Sequence, residues 1–198
     1  MSLLSSRPSP HALIALVLVA LLAGACSFEP VESFDPTGPC TGDGAAIGAY
    51  PELEALVPTE YEGRGPDRLD SGRNCTPENL GSLAEIDIAE LRFAGGTWDF
   101  GSDIAAVLAV FTADALTADA LADFYATSAR VGNRTQVTGE SDLTIAGRPG
   151  RRLDTKTGER IQTVVVWPAA VDGRVNVVLS HNLPDPKIEN AIAAYGGS

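Results

Sequence analysis

The 198-residue sequence predicts an α+β fold, an antiparallel sheet of five or six strands with helices packed on it. Three observations predict it. Residues 91–111 and 135–181 consist of short β-branched and aromatic runs punctuated by glycine, proline, asparagine and aspartate, the texture of strands and turns. Between them, 117–131 has helical spacing and a stop-and-start signal at each end. The order of elements is therefore helix, helix, hairpin, helix, meander, helix, which suits neighbouring antiparallel strands.

The chain opens with one basic residue, Arg7, ahead of an unbroken apolar run from Ala12 to Leu22, then Ala23, Gly24 and Ala25 before Cys26. A basic start, a short apolar core and a small-residue cleavage site are the parts of an export signal. The core is eleven residues long, short of the ~20 that a bilayer-spanning helix needs. Leu22-Ala23-Gly24-Ala25-Cys26 resembles the lipobox of bacterial lipoproteins. The resemblance implies cleavage after Ala25, diacylglycerylation of the Cys26 thiol, and a membrane partner reached through that acyl anchor. The implied location is the outer face of a bacterial cytoplasmic membrane. The competing expectation is an ordinary secretory signal cleaved near Ala25. Residues 27–39 are polar and rich in proline, the composition of an extended linker. The expected divisions are a signal peptide at 1–25, a lipidated cysteine and flexible linker at 26–46, and one α+β domain at 47–198.

Within the domain, 49–58 reads as a short helix: Pro51 suits a first turn, Glu52 and Glu54 favour the positive end of the dipole, and Pro58 stops it. Residues 60–73 are rich in glycine and charge and are expected to be loop with one short strand near Leu69. Thr76 and Pro77 start a second helix, Thr76 as its cap, with Leu80, Leu83 and Ile86 on one side. Residues 91–100 and 104–111 form a hairpin around Gly101-Ser102-Asp103. Thr117 caps the clearest helix, 117–131, with Asp119 in its first turn, Arg130 in its last and Gly132 ending it. Strands follow at about 135–146, 151–155, 159–167 and 174–181, with turns at 147–150, 156–158 and 168–173. The β-branched runs at 161–167 and 175–179 are expected to be central. Asp185 and Pro186 cap and start a last helix carrying Ile188, Ile192 and Tyr195 on one face. This order of elements is similar to small sheet-plus-helix lipoproteins of mycobacteria and their relatives, of the PsbP-like kind.

Charge and cysteines bound the function. Without residues 1–25 the chain carries 26 acidic against 13 basic residues, a net −13. That excludes nucleic acid as a partner, since phosphate contacts need clustered lysine and arginine. Cys40 and Cys75 are expected to form a disulfide in an exported chain. The bridge would close a loop of 35 residues, which stabilises by roughly 3–4 kcal/mol in the chain-entropy account. A metal pair or redox site has the wrong spacing, without a Cys-x-x-Cys or a nearby histidine.

Candidates for chemistry are few. His181 is the one histidine after the signal region, and Ser180 beside it would point to the opposite face of a strand, so the two are not expected to form a dyad. Glu60, Glu62, Asp67 and Asp70 have the oxygen ligands that calcium takes, but Arg64, Arg68 and Arg73 are interleaved with them and compete. Arg148, Arg151 and Arg152 form the one basic cluster, either a recognition site for a carboxylate or phosphate or a solvated turn. Trp98 and Trp167 are expected in the core. No cofactor motif is present, and no metal or cofactor is expected. The sequence thus points to a monomeric, non-enzymatic binding or accessory module whose partner is an envelope protein or polymer. The alternative is a carrier of a small apolar ligand, for which Ala105, Ala106, Ala109, Ala191, Ala193 and Ala194 would leave room.

Overall fold

A strand that is apolar on both faces needs cover on both, and that requirement organises this molecule. The computed structural model describes residues 34–196; the expected signal peptide and Cys26 lie outside the described residues. In chain order the elements are β1 (Gly44–Ala46), α1 (Pro51–Glu54), β2 (Arg68–Asn74), α2 (Pro77–Leu80) running into a 3₁₀ turn (Gly81–Ile86), β3 (Leu91–Asp99) and β4 (Ala105–Thr112). Then come α3 (Ala118–Val131), β5 (Thr135–Ile145), β6 (Arg148–Thr157), β7 (Arg160–Pro168), β8 (Arg174–His181) and α4 (Asp185–Ala193). Among the described residues no helix is long and apolar enough to cross a membrane.

The strands form one antiparallel sheet in the order β1-β2-β3-β4-β8-β7-β6-β5. It has eight strands, not the expected five or six. The additions come from the stretches with least strand texture. The short strand expected near Leu69 is the seven-residue β2, extending to Asn74, and β1 lies inside the expected linker. Gly72 explains the second: a Cβ there would sit 2.2 Å from the Gly44 carbonyl oxygen, so the glycine is what lets β1 approach. The described part of the expected linker, 34–46, is thus fastened to the sheet.

The topology is two four-stranded meanders. Helix α3 carries the chain from the end of β4 to the far edge of the sheet, and β5–β8 then return until β8 pairs with β4. The runs expected to be central are in β7 and β8, which lie inside the sheet. On one face, Leu91, Phe93, Ala109, Phe111, Val164, Val166, Val175 and Val177 pack under α2, the 3₁₀ turn and α3, with Leu83 and Leu121 fully buried. On the other, Ala94, Trp98, Leu108, Val110, Val165, Trp167 and Val178 are covered by α1, α4 and the loop that carries Tyr61. Odd and even residues divide cleanly between the two layers, as the pleat requires.

A β-bulge between Val137 and Gly139 resets this division in β5. Val137 packs under α3, whereas Leu143 and Ile145, at positions of the same parity, pack on the opposite face. One inserted residue moves every later side chain to the other side, and it brings Glu140 and Asp142 to the α3 face beside Arg151.

Helix ends differ from the expected caps in two places. Thr117 does cap α3, its hydroxyl accepting from Ala120 N–H at 3.1 Å. Thr76 holds the cap position of α2 but makes no capping bond. Asp185 lies inside α4 rather than capping it, and its carboxylate accepts from Arg152 at 2.8 Å. Tyr195, just past α4, stacks edge-on against Trp167 at 5.0 Å, and its hydroxyl lies 2.9 Å from the carbonyls of both Ala109 and Val177. Those residues are a register pair of β4 and β8, so Tyr195 clamps the junction of the two meanders.

Gly72→Ala is expected to detach β1, because the added methyl has no room against Gly44 and Ala45. Overpacking of this kind destabilises by roughly 1–3 kcal/mol. Hydrogen exchange should show amides of 44–46 losing protection while α3 keeps its own; unchanged protection at 44–46 would refute the close-approach account.

Candidate functional site

The end of the sheet where β2 finishes and β3 begins gathers the features that tie the N-terminal segment to the body. Cys40 and Cys75 are joined by a disulfide with a Cα–Cα distance of 5.4 Å. Cys75 directly follows β2, so the bridge fixes the segment to the sheet's second strand. Beside it, Arg73 is buried at 4% exposure. Its guanidinium donates to the carbonyls of Gly38 (2.9 Å), Asp35 (3.1 Å) and Pro39 (3.0 Å) and lies 3.5 Å from Glu90. It also sits over the Phe34 ring at 5.6 Å. A planar, permanently charged fork with several donors suits three carbonyls of one turn; a lysine could not serve them in the same way.

Asp43 makes the third tie. Its carboxylate accepts from the N–H groups of Cys75 and Thr76, from the Thr76 hydroxyl and from the Asn79 amide. It therefore engages the Thr76 hydroxyl as a donor, while the backbone N–H groups of Asn79 and Leu80 go to the Thr76 carbonyl. Burial pushes the Asp43 carboxyl upward, but the donors from Thr76, Cys75 and Asn79 outweigh it and hold the group below its ordinary value of 3.8.

Two open clefts lie along this same end. One, of about 390 Å³, is bounded by Asp87, Glu90, Arg92, Thr112 and Asp114. The other, of about 610 Å³, runs between the start of α3, the β5–β6 hairpin and the β7–β8 loop, with Leu143, Pro149, Pro168 and Val171 among its walls. By contrast the hollow between α3 and the sheet, lined by Ala122, Tyr125, Ala126 and Leu153, holds about 10 Å³.

The residues singled out in the sequence are dispersed. Arg151 faces α3 and is surrounded by Asp119, Asp123, Glu140 and Asp142 at 3.6–3.8 Å. Arg152 faces the opposite side and binds Asp154 and Asp185. Alternation along β6 thus splits the basic cluster between faces and engages these two arginines internally. In the acidic stretch, Arg64 pairs with Asp67, Arg68 with Asp70, and Lys187 with Glu62. Among the described residues no group of three or more histidine, cysteine, aspartate or glutamate side chains is arranged to hold a metal. Trp98 and Trp167 are buried, the Trp98 indole donating to the Arg64 carbonyl at 3.0 Å.

His181 is half-buried at the end of β8, between Ala105 and Gln162 of the flanking strands. Burial and the Arg160 charge lower its pKa, with Asp103 opposing them. Ser180 lies on the other face, its hydroxyl 3.4 Å from the Thr163 carbonyl, so the two side chains do not form a dyad.

Asp43 and Arg73 were not singled out as structural ties. A single buried arginine in a charged, glycine-rich stretch carries no local signature, because the carbonyls it serves are more than thirty residues away. The chain matches no protein-family model, and no curated protein is significantly similar to it.

Asp43→Ala is expected to lower stability by roughly 2–3 kcal/mol at neutral pH, since it removes hydrogen bonds to a charged acceptor. The folded carboxyl titrates below its unfolded value, so its contribution is complete above about 3.8 and is lost as pH falls through the folded pKa. Urea titrations of both proteins should therefore differ most at neutral pH and draw together as pH falls below the ordinary carboxyl value of 3.8; a gap that stays constant with pH would show that the charge is immaterial.

Proposed function

We propose that this protein is a lipid-anchored, non-enzymatic binding or accessory module on the outer face of a bacterial cytoplasmic membrane. It docks an envelope protein or polymer. The observation that carries the reading is the fastening of the N-terminal segment. A chain tethered through Cys26 transmits any pull from its anchor into residues 34–46. These are bonded to the sheet by the Cys40–Cys75 bridge, by Arg73 and by Asp43. A disulfide there also suits an oxidising compartment outside the cytoplasm. The strongly acidic surface supports solubility and a partner other than nucleic acid.

The carrier alternative needs a cavity between sheet and helices. The 10 Å³ hollow under α3 is room for about one water. Buried Ala106, Ala109 and Ala191 are used for close packing, and Ala193 is exposed. The geometry favours docking on the surface, where the larger clefts are open.

In cells that acylate lipoproteins, Cys26→Ser is expected to move the protein from the membrane fraction to the soluble one; a variant that stays membrane-bound would sink the anchor reading. Cys40→Ser should leave the location unchanged and lower stability by roughly 3–4 kcal/mol. Thermal melting with and without reductant checks that value, and equal melting temperatures would argue against the bridge as a stabilising tie.

A further inference from the structure

We propose that the turn following β1, with Ile47 at its tip, is the point at which the domain rests on the phospholipid surface. The inference depends on the anchor reading above. Ile47 is 79% exposed, more than any other large apolar side chain among the described residues. It is held out by construction. Ala49 N–H donates to the Ala46 carbonyl at 3.3 Å across the turn, and Gly48 has a φ of 76°, a conformation that glycine adopts without strain. The Glu54 carboxylate is turned toward the turn backbone and the sheet: it accepts from Gly48 N–H at 2.7 Å and from the Ser71 hydroxyl at 2.8 Å. Residues 44–50 contain no charged side chain, and Ala45, Ala46 and Gly48 are exposed beside Ile47.

The sheet's two edges are treated differently. The β5 edge is eleven residues long, interrupted by a bulge, and carries Glu140 and Asp142. These are devices that keep an edge from pairing with other molecules. The β1 edge is only three residues long and carries neither a bulge nor a charged side chain. It is also the edge next to the anchor. Cys26 precedes Phe34 by eight residues, a reach of at most about 29 Å when fully extended. The seven strand spacings from β1 to β5 span about 34 Å, which puts the charged edge well beyond the anchored one. An uncharged, braced apolar tip beside a short tether in an otherwise acidic protein fits a lipid surface: it offers apolar contact and brings no carboxylate to anionic headgroups.

Trp98 and Trp167 are both buried, so a tryptophan added at the surface can be read separately. The full chain carrying Ile47→Trp is produced in an acylating bacterium and reconstituted into phosphatidylethanolamine–phosphatidylglycerol vesicles containing brominated lipid. A second protein carries Val131→Trp, at the exposed end of α3 that leads to the β5 edge. Emission from Ile47→Trp should shift to shorter wavelength and be quenched by the brominated lipid, and Val131→Trp should do neither. Equal quenching of the two, or none, on a protein whose N-terminal peptide carries the acyl mass would overturn this inference and leave the anchor intact. Absence of the acyl mass would overturn both. A shift that appears without vesicles and grows with protein concentration would identify a second copy on the β1 edge and would likewise overturn the lipid contact.

Discussion

The pairing of β4 with β8 is the constraint on which the rest of the molecule depends. It joins two meanders that are each local in sequence, and it does so across some seventy residues of chain. Once the register Ala109 to Val177 is set, every strand has a fixed neighbour and both faces of the sheet become continuous apolar surfaces. Buried valines concentrate in β7 and β8 for this reason: those strands lie inside the sheet and are covered above and below. Tyr195 holds the junction from one side through its contacts with the carbonyls of both strands, while helix α3, which makes the connection between the meanders, covers the other.

Away from that junction, polar groups do much of the organising. Arg73 is a buried cation that serves three carbonyls, a use that offsets its desolvation through directed hydrogen bonds rather than through a single ion pair. Asp43 performs the complementary task for donors. Together with the disulfide they convert a stretch with almost no apolar residues into ordered structure, which hydrophobic burial alone would not achieve. The arginines of the acidic surface are likewise occupied. Arg151 neutralises carboxylates from α3 and β5, and Arg152 reaches α4. A basic run in sequence therefore does not become a basic patch in space.

These arrangements give the proposed module a consistent mechanical logic. The ties are concentrated where the tether enters, the interior is filled on both sides of the sheet, and the open clefts lie among loops along one end. Rigid cores with variable loop clusters are how surface-binding domains present partner contacts.

Much of the architecture was determined by the sequence itself, because periodicity and turn chemistry are local. The span 117–131 with Thr117 and Gly132 at its ends, the hairpin around 101–103 and the strand at 174–181 all appear within a residue or two of where the spacing puts them. The cysteine pair was legible from the expectation of an exported chain in which Cys40 and Cys75 are the two cysteines after Cys26. Tertiary structure alone decided the remainder. Whether a polar stretch becomes β1 depends on Gly72 of another strand, and whether Thr76 caps a helix depends on Asp43 more than thirty residues away. The bulge at 137–139 chose the face on which Glu140 and Asp142 meet Arg151. In each case the deciding partner is distant along the chain. A pattern read over ten residues records propensity and amphipathicity, but not which remote backbone or charge will supply the missing bond.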